Sequence, residues 1–226
     1  MNRHNSPTLP NTPTARVIVA LVITLACASS TLAQLTSEAG PAEFSLGLGY
    51  ANISLGSDSA IDSEGALRWE PSLTFSPIQQ VPELRFGINC GVSLVLDNSN
   101  RTIISNDGQL IFFGSSDVPL WTIEPELRLS WRQNLDSNGQ FFIEPGVAGG
   151  ALFGFLELES EDGTDSYDAD ASTFYARVFL RAGARVTGGI AGVEASYMQG
   201  GDLDFGGNAS GEVTEFYIGI FGAIQF

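Results

Sequence analysis

Thr173-Phe174-Tyr175-Ala176-Arg177-Val178-Phe179-Leu180-Arg181-Ala182-Gly183-Ala184-Arg185-Val186 is the stretch on which the fold turns. Arg177, Arg181 and Arg185 share one parity; Phe174, Ala176, Val178 and Leu180 share the other. Alternation with period two is a β-strand with two unlike faces. Leu120 to Arg132 repeats the pattern, with Leu127, Leu129 and Trp131 opposing Arg128 and Arg132. Arg68 and Arg85 fall on the polar parity of two further segments. Charge on one face and apolar bulk on the other leaves two options: a water-soluble sheet, or a membrane barrel with its polarity turned inward.

Working outward, the alternation predicts eight strands. They run from about Glu43 to Leu55, Ala66 to Phe75, Leu84 to Leu96, Leu120 to Arg132, Phe141 to Leu156, Thr173 to Val186, Ile190 to Gln199 and Val213 to Phe226. Connections after the second, fourth and sixth strands are short; those after the first, third, fifth and seventh are long and polar. Gly188-Gly189 reads as a two-residue hairpin tip, because glycine accepts positive φ. The longest connection holds Thr102-Ile103-Ile104 and Leu110-Ile111-Phe112-Phe113 around Asn106-Asp107-Gly108. That pattern predicts a hairpin that lengthens the third and fourth strands. Its apolar residues either contact a partner or pack back onto the barrel mouth.

The ends and the composition narrow the class. Arg3 and Arg16 precede the apolar run Val17 to Ile23, and small residues lead to Ala33-Gln34. A charged stretch, a short apolar run and a small-residue site read as a secretory signal. The expected organisation is therefore a cleaved signal over 1–33 and a single barrel domain over 34–226. The chain has 26 acids, 10 basic residues and a net charge of −16. Every basic residue is arginine, and the one histidine, His4, lies in the expected leader. Such acidity excludes ordinary nucleic-acid binding, which needs a basic footprint. After the leader no run reaches the ~18 apolar residues of a membrane helix.

Four features favour lipid outside. A solvated outer face would use lysine, and there is none. Arginines and glutamates nearly balance on the polar parity, as enclosed charges must. Aromatics gather near both strand ends: Phe44, Phe75, Trp131, Phe141 and Phe226 below; Trp69, Trp121, Phe155, Phe174, Tyr197 and Phe216 above. Apolar segments reach the ~9–11 residues that cross a bilayer at a tilt. Since lipid cannot satisfy an open sheet edge, the strands must close. The fold expected is all-β: a closed, antiparallel, up-and-down transmembrane barrel of eight strands, with a lumen filled by side chains.

That lumen is expected to hold an ion-pair network of Arg68, Glu70, Arg85, Glu124, Glu126, Arg128, Arg132, Glu144, Arg177, Arg181, Arg185, Glu194 and Glu215. With the hairpin tip at Gly188-Gly189, Glu194 faces Gly183; in the preceding hairpin, Glu144 faces Arg128. Arg128, Arg181 and Arg185 would then clamp Glu144 and Glu194. The most acidic stretch, Glu157 to Asp170, reads as a loop. Asp162, Asp165, Asp168 and Asp170 are its candidates for a calcium or magnesium ion. Their spacing is not that of an EF-hand, and the plainer reading is a solvated anionic surface. No cofactor is expected.

The last strand resembles the carboxyl-terminal sorting signal of bacterial outer-membrane barrels, which alternates apolar residues and ends in phenylalanine. Phe226, Ile224, Ile220 and Ile218 match; Gly222 departs. With the leader and the layout of connections, the chain resembles the small eight-stranded outer-membrane β-barrel proteins. The resemblance implies residence in the bacterial outer membrane, with the lipid bilayer and the barrel-assembly machinery as partners. The palmitoyltransferase, lipid A deacylase, phospholipase and omptin protease types within such barrels use histidine in catalysis. The absence of histidine after the leader sets the chain apart from them, so no enzyme activity is expected. The expected role is a monomeric, plugged barrel acting structurally or binding a surface partner through its long acidic loops. The alternatives are a narrow channel for small solutes and a soluble exported barrel that carries a ligand.

Overall fold

The computed structural model describes residues 42–56, 59, 64–78, 80–96, 100–105, 108–116, 119–160 and 163–226. The expected leader lies outside the described residues. Among these residues eleven strands form: β1 Ala42–Ser54, β2 Glu64–Phe75, β3 Leu84–Val95, β4 Arg101–Ile104, β5 Leu110–Gly114, β6 Leu120–Trp131, β7 Gln133–Asn134, β8 Phe141–Glu159, β9 Ser166–Val186, β10 Gly189–Asp204 and β11 Ser210–Gln225. There is no α-helix among the described residues.

Eight of these strands close on themselves. The hydrogen-bonded order is β6-β3-β2-β1-β11-β10-β9-β8, and a further β6–β8 pairing joins the two ends. β7 continues the line of β6 along β8. Every pairing is antiparallel, and each strand lies beside its sequence neighbour, as in an up-and-down barrel. Closure leaves no barrel edge for water to satisfy, which a lipid-embedded sheet requires. Two prolines perforate the ladder without opening it. Paired positions skip from Trp69 to Ser72 around Pro71, and from Ile123 to Glu126 around Pro125. A proline has no N–H to give.

The outer face is apolar over most of its height. Leu46, Leu48, Phe86, Ile88, Leu127, Leu129, Val147, Val178, Leu180, Val193, Ile218 and Ile220 are all exposed. A soluble barrel would bury such residues. Phe174, 82% exposed, stands with Tyr197 and Phe216 at the upper rim of this band; Trp131, Phe141 and Phe226 stand at the lower. Trp121, expected in the upper rim, is buried instead. It stacks on Phe155, its register partner on β8, with ring centroids 4.0 Å apart.

Above that rim the polarity inverts. On β8, Leu156 and Leu158 turn inward and are fully buried, while Glu159 is exposed. On β9, Tyr167, Ala169 and Ala171 pack against the core while Asp168, Asp170 and Ser172 are exposed. β1 continues inward with Ile53 and Leu55, and β10 with Leu203. The lower barrel is thus polar within and apolar without; the upper barrel has the opposite arrangement.

Four strands, β8 to β11, run at least three residues farther up than the alternation predicts, with β11 beginning at Ser210. The acidic stretch is mostly strand rather than loop: β8 reaches Glu159 and β9 begins at Ser166. β10 extends to Asp204 past an irregularity between Gln199 and Asp202. That bulge carries Gly200-Gly201 and shifts the parity by one, which hides the upper part of the strand from a period-two reading.

Candidate functional site

The lumen is built in three levels. At the lowest, Arg132 bridges two carboxylates: its Nη1 lies 2.8 Å from Glu43 and its Nε 2.6 Å from Glu144. Arg85 reaches Glu43 at 3.2 Å. Ser130 donates to Glu144 at 2.7 Å. These strands lie on different sides of the barrel, so the level ties the wall together across its axis.

The middle level is denser. Arg128 contacts Glu126 at 2.5 Å, Glu194 at 3.1 Å and Glu70 at 3.3 Å. Arg181 contacts Glu194 at 2.5 Å. Just above, Arg68 meets Glu124, Glu70 and Glu215 at 2.5, 2.7 and 3.0 Å. Arg177 meets Glu124, Glu215, Glu126 and Glu70 at 2.5, 3.1, 3.3 and 3.3 Å. Ser93, Asn89 and Tyr175 supply further hydrogen bonds to this layer. Both Arg68 and Arg177 are buried completely or nearly so. A buried ion loses several kcal/mol of hydration, so partners on every side are a condition for charge here. Aromatic rings complete the cages, with Phe179 under Arg128 at 4.7 Å and Phe142 under Arg132 at 4.2 Å.

Space for these side chains comes from glycine. A Cβ at Gly91 would collide with Arg68 Nη2, in a place only a hydrogen can share with the guanidinium.

The third level is apolar. Ala51, Ile53, Leu55, Val95, Leu120, Leu152, Leu156, Leu158, Met198, Leu203 and Phe205 form one buried cluster, with Tyr175 and Tyr217 at its base. The β4–β5 hairpin closes it from above. The chain enters the hairpin from β3 and leaves it into β6, across the ring from β10 and β11. Yet Asn208, in the β10–β11 turn, clasps the hairpin. Its side chain accepts from Ile104 N at 2.8 Å and donates to Thr102 O at 3.3 Å, while its own N–H donates to Ile104 O at 2.8 Å. Ser115 and Glu159 exchange two backbone hydrogen bonds on the other flank. The hairpin therefore spans the mouth. It is a separate two-stranded sheet, not a lengthening of β3 and β6. Ile103 is fully buried and Phe112 packs on the cluster, whereas Leu110, Ile111 and Phe113 face outward. Tyr167 supports the cap by donating its hydroxyl to Phe205 O. Burial, and to a lesser degree the Asp204 carboxylate, push that phenol above its ordinary pKa.

Several expected contacts fall elsewhere. The β9–β10 tip is Thr187-Gly188, since Val186 pairs with Gly189, and of the two glycines Gly188 takes positive φ, at 90°. Glu194 consequently faces Arg181, not Gly183. Glu144 faces Arg181 on β9 and binds Arg132, while Arg128 faces Ala148. Arg185 stands exposed at the lower mouth and has no carboxylate partner among the described residues. Arg101 was not in the expected network, yet it is buried and pairs with Glu64 at 2.8 Å near the upper mouth. Its position in a connecting segment, away from the eight alternating strands, gave no such signal.

The acidic candidates do not converge. Asp168 and Asp170 are exposed on β9, opposite Glu157 and Phe155. Asp165 lies in the turn below Ser160, and Asp162 lies outside the described residues. Among the described residues no group of three potential ligands could hold a metal ion. A strand spreads same-face residues by nearly 7 Å, which keeps Asp168 and Asp170 apart.

No protein-family model matches the sequence, and no curated protein matches it either. Solved structures do. Neisserial surface protein A superposes with a TM-score of 0.56 at 12% identity, covering 83% of this chain and 99% of that one. The chain has the fold of a small eight-stranded outer-membrane β-barrel. Looser matches are Ail, the attachment invasion locus protein of Yersinia pestis, with sucrose octasulfate bound (TM-score 0.49, 11% identity, 82% of this chain and 99% of that one), and a major outer membrane protein from Thermus thermophilus (0.42, 13%, 82% and 99%). A barrel with this polarity belongs in a membrane: its apolar band needs acyl chains, and its charges need enclosure.

Proposed function

We propose that this outer-membrane barrel is a closed, monomeric structural or surface-binding protein rather than a pore or an enzyme. The observation that carries the proposal is the filling of the lumen. Two ionic levels cross the axis, and an apolar plug capped by the β4–β5 hairpin lies above them. A solute passing through would have to break several buried ion pairs and open a dry core. The part left to meet the surroundings is the protruding upper barrel. It presents Asp168, Asp170, Asp202 and Asp204 on its outer wall and Leu110, Ile111 and Phe113 on the cap. Recognition of a surface partner falls to that rim. Phe226, Ile224, Ile220 and Ile218 lie exposed along the outer face at the last strand, where the barrel-assembly machinery would read them.

Planar-bilayer recording tests the closed reading. The refolded barrel is expected to give no steady conductance. Steady single-channel current from the unaltered chain would overturn it.

A further inference from the structure

The lower mouth holds a cavity that the proposed role does not use. About 240 Å3 of space lies between Arg85, Arg132, Arg185, Asn134, Glu83 and Gln225. These residues come from β3, β7 and its junction with β6, β9, β11 and the turn before β3, so the space sits across the barrel axis and is no crease in the outer wall.

The three guanidiniums are unequally committed. Arg132 is saturated by Glu43 and Glu144. Arg85, 4% exposed, has a single ion-pair contact at 3.2 Å, and its Nε is buried with no hydrogen-bond partner. Arg185 is exposed and has no carboxylate partner among the described residues. A buried donor without an acceptor is costly, and an exposed arginine at the same cavity adds a second fork with open donors. Glu43 and Glu144 face Arg85 and Arg132 from β1 and β8, and the exposed Glu83 is the carboxylate among the cavity's own lining residues.

We propose that this mouth binds a soluble oxyanion of the phosphate class, held between Arg85 and Arg185 with Arg132 as a fixed positive background. Arginine forks match phosphate oxygens in bidentate geometry. The barrel wall separates the cavity from the bilayer, so the ligand comes from the aqueous space on the short-turn side. The volume admits phosphate with a few waters or a small phosphate ester.

Inorganic phosphate titrated into the folded barrel, in zwitterionic detergent at constant ionic strength, tests this by calorimetry. Saturable binding is expected. Arg185→Gln should weaken it by about tenfold or more, the effect of losing one charge-assisted fork. Glu83→Gln should tighten it several-fold by removing a like charge from the lining. Both positions are exposed and outside the ionic levels, so heat-modifiable gel mobility should stay that of the unaltered barrel. Absence of saturable binding, or equal affinity in Arg185→Gln and the unaltered barrel, overturns the proposal.

Discussion

On every barrel strand but β10, whose bulge switches its faces, the lower and upper lumen are filled by the same parity, yet by opposite chemistries. β11 shows it within three residues: Val213 belongs to the apolar plug, and Glu215 to the ionic level. The outer wall changes in step, from exposed Phe216 and Ile218 below to Glu212 above. Facing inward therefore does not decide polarity; the medium outside does. Where lipid surrounds the wall, apolar side chains go outward and polar ones must find partners inside. Where water surrounds it, the ordinary arrangement returns. Phe174, Tyr197 and Phe216 stand at the crossing, the level at which aromatic girdles mark a membrane interface.

The two fillings should fail differently. Removing one guanidinium from the ionic level strands several carboxylates, whereas truncating an apolar residue leaves only a hole. Arg177→Met is expected to have the largest effect, about 3–5 kcal/mol of unfolding free energy in urea. Adding Glu124→Gln should restore part of that loss. A double variant less stable than the single would show that the level is not held by mutual pairing.

Leu158→Ala in the plug should follow, at about 3 kcal/mol for a buried leucine in a packed core. In the same titration, a loss below about 1 kcal/mol would mean that the upper lumen is loosely filled and the contrast between levels is false. Asn208→Ala comes next, at about 1 kcal/mol per lost hydrogen bond to a well-placed partner. Its effect should be local, with faster amide exchange at Ile104 and cleavage within 100–116 at low protease, while the ionic levels stay protected. The smallest effect is expected from Asp170→Asn on the wet outer wall, within about 0.5 kcal/mol. Thermal unfolding with and without calcium should be unchanged for that variant and for the unaltered chain.

Much of the fold could be read from the alternation of Arg177, Arg181 and Arg185 with Phe174, Val178 and Leu180. What failed was stagger. A one-residue slip would flip a strand's faces and is forbidden by the pattern, but a two-residue slip preserves them. That is the error at the β9–β10 hairpin, where Glu194 meets Arg181 instead of Gly183. The upper strands were hidden for a different cause. Leu156, Leu158, Tyr167, Ala169 and Ala171 do alternate with acids, but a dense carboxylate run reads first as a loop. Recognising that inversion requires knowing where the membrane stops.

The strand faces, the enclosure of the arginines and the outer greasy band follow from residue order alone, because period-two chemistry is local and survives without partners. Which arginine meets which glutamate, where the polarity turns over, and that a hairpin rooted between β3 and β6 is clasped by Asn208 on the far side emerge only once the barrel closes. Those outcomes depend on barrel stagger and on the height of each residue relative to the lipid, and both are properties of the closed ring rather than of any one strand.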